Sequence, residues 1–232
     1  MINIEELSKK NHQYIRINKD YNTLPAVHSH VMPLLITELL SAGANYPIFL
    51  TKNDQTGEFV CIALLGFTEN ENLYLHKGEW QASHIPLTID RQPFHINQEN
   101  QAIYIDIGNP WVDKKQGELI FLENGELSPY MQTVMDNLSK IHTGTKETQA
   151  FINSLSENEL IESIELNISF DDQSSEKLNG LYTINRQKLA TLPSEQLTKL
   201  HQSGTLEGAY IMLNSVEQVK SLVSRKNKRI SA

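Results

Sequence analysis

Two apolar, β-prone runs separated by a polar turn constrain this chain more than any other feature. Tyr46-Pro47-Ile48-Phe49-Leu50 and Phe59-Val60-Cys61-Ile62-Ala63-Leu64-Leu65 carry the β-branched and aromatic side chains that suit a pleated, buried surface. Pro47 pushes Tyr46 into extended backbone, so a strand starts cleanly there. The intervening Lys52-Asn53-Asp54-Gln55-Thr56-Gly57 is rich in turn formers, and the three pieces together read as a hairpin.

More strands are expected around it. Residues 73–75 read as a third strand, and residues 94–96 and 102–107, separated by polar residues 97–101, read as a second hairpin. Residues 1–23 are polar, with Tyr14, Ile15 and Ile17 as edge-strand positions. Residues 33–40 carry Leu34, Leu35, Leu39 and Leu40 at helical spacing after Pro33.

Further on, helices take over. Tyr130, Val134, Leu138 and Ile141 share one helix face, closed by Gly144, and Thr145 caps a short helix bearing Phe151, Ile152 and Leu155. Residues 161–170 and 178–185 are expected as strands around a mobile loop at 171–176. Residues 194–202 read as a helix stopped by Gly204, and residues 210–213 as a final strand. Asn214 and Glu217 form a capping signature for a last helix with Val216, Val219, Leu222 and Val223. The expected class is therefore α+β, mainly antiparallel sheet in the N-terminal half with helices concentrated in the C-terminal half. One domain over residues 1–232 is expected, with a subdivision near residue 110 as the alternative.

The charge balance narrows the partners. Lys and Arg total 20 against 28 Asp and Glu, a formal net charge of −8, which favours solubility and disfavours nucleic acid. Arg225, Lys226, Lys228 and Arg229 form one basic cluster, read as a solvated helix end that complements the helix dipole. The lone Cys61 excludes an intrachain disulfide and reads as a buried, inert thiol. No run approaches the roughly 20 apolar residues needed to cross a bilayer, so no transmembrane segment is expected. The first residues, Met1-Ile2-Asn3-Ile4-Glu5-Glu6, show no secretory pattern. The default expectation is the cytoplasm, with the cell surface reached through signal-less export as the alternative.

A set of short motifs in a fixed order carries a family resemblance. They are Val31-x-Pro33-Leu34-x-x-x-Glu38-Leu39, Tyr46-Pro47-Ile48-Phe49, Ala63-Leu64-Leu65-Gly66, Glu71-Asn72-Leu73-Tyr74, Gly78-x-Trp80, Ile85-Pro86 and Arg91-x-Pro93-Phe94. Looser matches at Gly125 and residues 145–151, 178–192 and 197–213 extend the similarity over residues 24–222. The chain resembles the SapC family of bacterial proteins. His28 and His30 lie outside the family pattern, and Gln92 replaces an aromatic usual between Arg91 and Pro93. The resemblance implies association with a bacterial surface layer, and relatives often sit beside genes for outer-membrane receptors, flavin-dependent halogenases and cupin-like oxygenases. It brings no defined catalytic residues.

Candidate sites follow from residue chemistry. The guanidinium of Arg91 offers a planar fork of donors suited to a carboxylate or phosphate, unless it pairs internally with Asp90 or Asp106. With Trp80, Tyr74, Phe94 and the turn former Asn72 it forms the expected ligand-binding block, the aromatics being platforms or core. His28-Ser29-His30 is the metal-like feature: in a strand, residues two apart share a face, and both imidazoles would approach one cation. A two-histidine-one-carboxylate site would add Glu38, with His76, His84 and His95 as equally open third ligands. There is no Gly-x-Ser-x-Gly elbow and no glycine-rich phosphate loop. Asp171-Asp172 and Glu69/Glu71 read as solvated loop carboxylates.

These features point first to a non-catalytic binding or accessory protein of a bacterial envelope, surface-layer or peptide-modification system. Its ligand would be a peptide, protein or saccharide, with no cofactor implied and self-association into a homo-oligomer left open. The alternatives are a metal-dependent, oxygenase-like enzyme subunit using His28 and His30, and a structural surface-layer component.

Overall fold

The computed structural model describes residues 3–97 and 99–231. In chain order the strands are β1 (Ile4–Glu6), β2 (Arg16–Ile17), β3 (Val31–Pro33), β4 (Ile48–Lys52), β5 (Phe59–Leu64), β6 (Leu75–His76), β7 (Glu79–Trp80), β8 (Phe94–Ile96), β9 (Ile103–Asp106), β10 (Val112–Asp113), β11 (Glu118–Leu119), β12 (Ile161–Ser169) and β13 (Ser175–Ile184). The α-helices are α1 (Lys9–His12), α2 (Leu39–Gly43), α3 (Leu87–Asp90), α4 (Pro129–Glu157), α5 (Arg186–Ala190), α6 (Ser194–Gln202), α7 (Thr205–Ser215) and α8 (Gln218–Ile230). Antiparallel sheets lie mainly in the N-terminal half, and the long α4 with shorter helices fills most of the C-terminal half, so the class is α+β.

The chain forms two compact units from interleaved pieces. The first is Met1–His28, Leu75–Gln81 and Leu87–Thr143; the second is Ser29–Tyr74, Ala82–Pro86 and Gly144–Ala232. Residue 110 lies inside the first unit.

The first unit is built from small antiparallel sheets: β1-β9-β8, β10-β2-β11 and the hairpin β6-β7. Trp111 anchors it at 0% exposure. Its indole nitrogen donates to the Asp20 carbonyl at 2.8 Å, and the Tyr21 ring meets it edge-on at 5.2 Å. Strand β2 holds the centre of its sheet rather than the expected edge, because β10 and β11 pair with opposite sides of Arg16 and Ile17. In the β6–β7 hairpin, Lys77 and Gly78 both take positive φ (50° and 81°), the geometry that matches a two-residue hairpin turn to strand twist.

The second unit holds a five-stranded antiparallel sheet in the order β12-β13-β4-β5-β3. Its middle is the hairpin of the two apolar runs, with Ile48 opposite Ala63 and Lys52 opposite Phe59. Asn53 closes the turn, its side-chain oxygen accepting from the amides of Gln55 (2.8 Å) and Thr56 (3.2 Å), while Gly57 sits at φ 72°. Ile48, Phe49, Leu50, Ala63 and Leu65 are fully buried. The Ser215 hydroxyl at the end of α7 accepts from the Ile48 amide at 3.0 Å, holding that helix on the sheet.

Several local expectations are corrected. Pro33 ends β3 instead of opening a helix; residues 36–38 make a 3-10 turn and α2 starts at Leu39. Gly144 does not stop α4, which runs on to Glu157. A Cβ there would lie 2.9 Å from Thr37 Oγ1 and 3.2 Å from a Leu35 methyl, so the glycine serves a close approach and not a terminus. Tyr210 and its neighbours are helical, within α7, and not a strand; short apolar runs do not reveal their period. Gly204, at φ 75°, turns the chain from α6 into α7. Glu217 precedes α8 without a side-chain cap, so the capping signature is not realised.

The basic cluster of α8 is engaged instead of solvated. The Arg225 guanidinium lies 4.4 Å from the centre of the Tyr74 ring, Lys226 Nζ is 2.5 Å from Glu71 Oε1, and Arg229 donates to the Asn72 carbonyl at 2.8 Å. Only Lys228 of the four lacks such a contact with residues 71–74 among those described. Glu71 is accordingly not a solvated carboxylate: its other oxygen accepts from the Phe67 amide at 2.9 Å.

Candidate functional site

The structure distributes the expected ligand-binding block over both units. Asn72 and Tyr74 belong to the second, and Trp80, Arg91 and Phe94 to the first. Tyr74 is 1% exposed and Phe94 0%, so neither offers a face to a ligand. Tyr74 packs edge-on against Tyr46 at 4.7 Å and donates its hydroxyl to the Asn45 carbonyl at 2.8 Å. Burial pushes that phenol up to about 12, the nearby Arg225 opposing the shift. Asn72 is also buried, its side-chain oxygen accepting from the Tyr74 amide at 2.9 Å, as a turn former should. Trp80 is half-buried beside Tyr21, with ring centres 6.0 Å apart.

Arg91 takes neither internal carboxylate that the sequence suggested. Asp90 is held by Lys19 Nζ at 2.6 Å and by the Asn137 amide at 2.8 Å, and Asp106 accepts from the backbone amides of Asn3 and Gly108. One guanidinium nitrogen of Arg91 donates instead to the Phe94 carbonyl at 2.6 Å and to His95 Nδ1 at 3.0 Å. Arg91 therefore braces the turn into β8. Burial lowers its pKa, and burial together with Arg91 lowers that of His95, so the imidazole is the acceptor of this pair.

The geometry invoked for His28 and His30 is absent. His28 ends a 3-10 turn (Pro25–His28), with Nε2 3.4 Å from the Asn22 carbonyl, and His30 precedes β3, so strand alternation does not align the two rings. Among the described residues, no group of three or more His, Cys, Asp and Glu is placed to hold a metal ion. Glu38, the suggested carboxylate, is 3% exposed and already committed. One oxygen accepts from the Leu35 amide at 3.0 Å, capping the 3-10 turn, and the other accepts from His84 Nε2 at 3.0 Å. Tyr46 completes this brace by donating its hydroxyl to the His84 carbonyl.

A different feature of the second unit has the form of a binding site. A trough of about 440 Å³ lies between residues 36–40, the second half of α4 and the start of α7, and a second hollow of about 520 Å³ adjoins it along α7. The two share Leu40, Glu207 and Ile211. Phe151, 4% exposed, lies within the first. Leu40, which lines both, and Tyr210, which lines the second, are 71% and 55% exposed, among the most exposed large hydrophobic side chains described. Ser154, Ser203 and Thr205 add a linked run of hydroxyls, with Ser203 Oγ 2.9 Å from Thr205 Oγ1 and Thr205 3.3 Å from Ser154. Glu147 and Glu207, both exposed, bring negative charge to the rim.

Two glycines permit this surface. A Cβ on Gly43 would meet an Ile211 methyl at 2.7 Å, and one on Gly208 would meet the Phe151 ring at 2.7 Å, so α7 can approach α2 and α4 only without those side chains. Those glycines, set within apolar helical stretches, were the available sequence signal. Leu40 falls within the apolar helical pattern of residues 33–40 and Tyr210 within the strand expected at 210–213, and neither pattern marks a surface hollow.

No protein of curated function and no solved structure matches the chain. A family model does match, that of SapC, over residues 7–222 of 232. The ordered motifs from Val31 to Phe94 lie inside that match, which extends well beyond them at both ends, and the chain belongs to the SapC family.

Proposed function

We propose that this chain is a non-catalytic binding protein whose trough along α2 and α7 receives an apolar peptide segment carrying basic residues. The observation that carries the reading is the placement of the largely exposed Leu40 and Tyr210 on two adjoining hollows that share Ile211, the first of them also lined by Phe151. Contiguous apolar surface of this kind marks interaction sites, and amphipathic segments commonly lay an apolar stripe into such grooves. The acidic rim of Glu147 and Glu207 favours Lys or Arg beside the apolar anchors and disfavours an acidic segment. An accessory role in a bacterial envelope or peptide-modification system accords with what the family resemblance implies.

The test uses two labelled amphipathic peptides, one of Leu and Lys and one of Leu and Glu, titrated against the full chain by fluorescence anisotropy. The Leu/Lys peptide should bind, and the double variant Leu40→Ser/Tyr210→Ser should lose about tenfold or more in affinity with an unchanged circular dichroism spectrum. Equal binding of both peptides, or binding indifferent to the double variant, overturns the reading.

A further inference from the structure

The trough and the hollow beside it continue into a third. Arg186, Tyr210, Leu213, Asn214 and Glu217 line a hollow of about 380 Å³ that shares Tyr210 and Asn214 with the second. The three follow one another across α7, from the α6–α7 turn at Gly204 to the first residue of α5, Arg186. An α-helix rises about 1.5 Å per residue, so Glu207 in the first hollow and Leu213 and Asn214 in the third are about 10 Å apart along the helix axis. The fixed charges along this path are split. Glu147 and Glu207 line the first hollow, both exposed, and neither has an ion-pair or side-chain hydrogen-bond partner among the described residues. Arg186 stands at the other end, exposed and likewise without a partner among them. Glu217, the acid of the same hollow, has Lys220 as its ion-pair partner, which leaves Arg186 as the unmatched charge there.

We infer that the segment bound along α7 has a split charge, with Lys or Arg over Glu147 and Glu207 and a carboxylate at Arg186. The inference rests on the peptide reading and adds to it a second anchor and the order of the charges. A guanidinium fork holds a carboxylate through two parallel hydrogen bonds, and it repels a second cation. A uniformly basic segment suits Glu147 and Glu207 but sets its far end against Arg186, and a uniformly acidic one is opposed at the first hollow. Only a segment with both signs is attracted at both ends, while Leu40, Tyr210 and Ile211 meet its apolar stripe between them. A separation of about 10 Å corresponds to about seven residues of helix or three of extended chain. Charges on an open rim contribute modestly, so the carboxylate should improve affinity about two- to fivefold.

The test is fluorescence anisotropy on the full chain with N-acetylated, C-amidated peptides that share one Leu stripe. One carries Lys throughout, and two carry Lys in one half and Glu in the other, in the two possible orders. A further all-Lys peptide with a free C-terminal carboxylate separates a terminal carboxylate from a side-chain one. The better split peptide, or the free-carboxylate peptide, should bind about two- to fivefold tighter than the amidated all-Lys peptide. Arg186→Gln should abolish that gain, and Arg186→Glu should reverse it and place the amidated all-Lys peptide first. Arg186 is exposed at the start of α5, so both variants should keep the fold, which circular dichroism checks. Suppose the all-Lys peptide binds and loses affinity in Leu40→Ser/Tyr210→Ser, yet neither carboxylate brings a gain or the gain survives Arg186→Gln. The inference is then overturned and the peptide reading stands. Failure of every peptide to bind, or binding indifferent to the double variant, overturns both.

Discussion

Replacing Glu38 should be among the most costly single changes in the second unit. The side chain is 3% exposed and accepts two hydrogen bonds, from the Leu35 amide and from His84 Nε2, each at 3.0 Å. Glu38→Ala removes both acceptors and leaves the Leu35 amide and the His84 imidazole, whose side chain is 16% exposed, short of a partner where water has limited access. Removing one partner of a fully buried ionisable pair costs about 3–5 kcal/mol, and with His84 partly open to water the lower end, about 3 kcal/mol, applies here. For a chain of this length each kcal/mol lowers Tm by about 2–4 °C, so a fall of about 6–12 °C is expected. Glu38→Gln should cost only about 1 kcal/mol, because its oxygen can keep the Leu35 amide while its NH2 donates to the other tautomer of His84. Urea unfolding followed by circular dichroism measures both variants, and a cycle with His84→Ala isolates the pair. A coupling energy of about 1–3 kcal/mol is expected. Glu38→Ala costing less than about 1 kcal/mol, or His84→Ala costing the same with and without Glu38, would refute the reasoning.

Three further outcomes are expected. Cys61, 1% exposed and with a thiol that burial and then Glu38 push up to about 12, should react with a disulfide reagent only in denaturant; rapid stoichiometric labelling of the native chain would contradict this. His95 has a folded pKa lowered by burial and by Arg91, so the unfolded chain binds the proton more readily. Stability should therefore fall as pH drops from about 6.5 toward the lower folded value, and His95→Gln should remove that part of a urea-midpoint profile. Gly208→Ala gains about 1 kcal/mol of helix propensity but sets a Cβ 2.7 Å from the Phe151 ring and 2.9 Å from an Ile36 methyl. Overpacking costs about 1–3 kcal/mol, so a net loss is expected by urea titration, and a raised midpoint would show that Phe151 yields freely.

The parts of the fold legible in the sequence were those set by neighbours in the chain. The hairpin over β4 and β5 is encoded by Pro47, Asn53, Gly57 and the apolar runs themselves, and α6 by the turn signals at Pro193 and Gly204. What failed depended on distant contacts. Gly144 reads as a stop unless Leu35 and Thr37 are known to press on it. The α8 cations read as solvated because Glu71, Asn72 and Tyr74 lie about 150 residues earlier. Of the expected binding block, Tyr74 and Phe94 proved to be core, and Arg91 a brace within its own turn.

The strand order of the second unit also bears on how the protein is made. Strands β3, β4 and β5 leave the ribosome before β13, but β4 pairs on its other side with β13, with Leu181 opposite Thr51 and Tyr182 opposite Leu50. That partner is synthesised about 110 residues after β5, a delay of about 5–20 seconds at ordinary elongation rates. Throughout that interval the nascent hairpin presents Phe49, Leu50 and Ile62 beside an unpaired strand edge, the combination that invites association between chains. The sheet that gives the unit its core therefore makes the interval between β5 and β13 hazardous. Nascent chains stalled between β5 and β13 should be the species that chaperones hold.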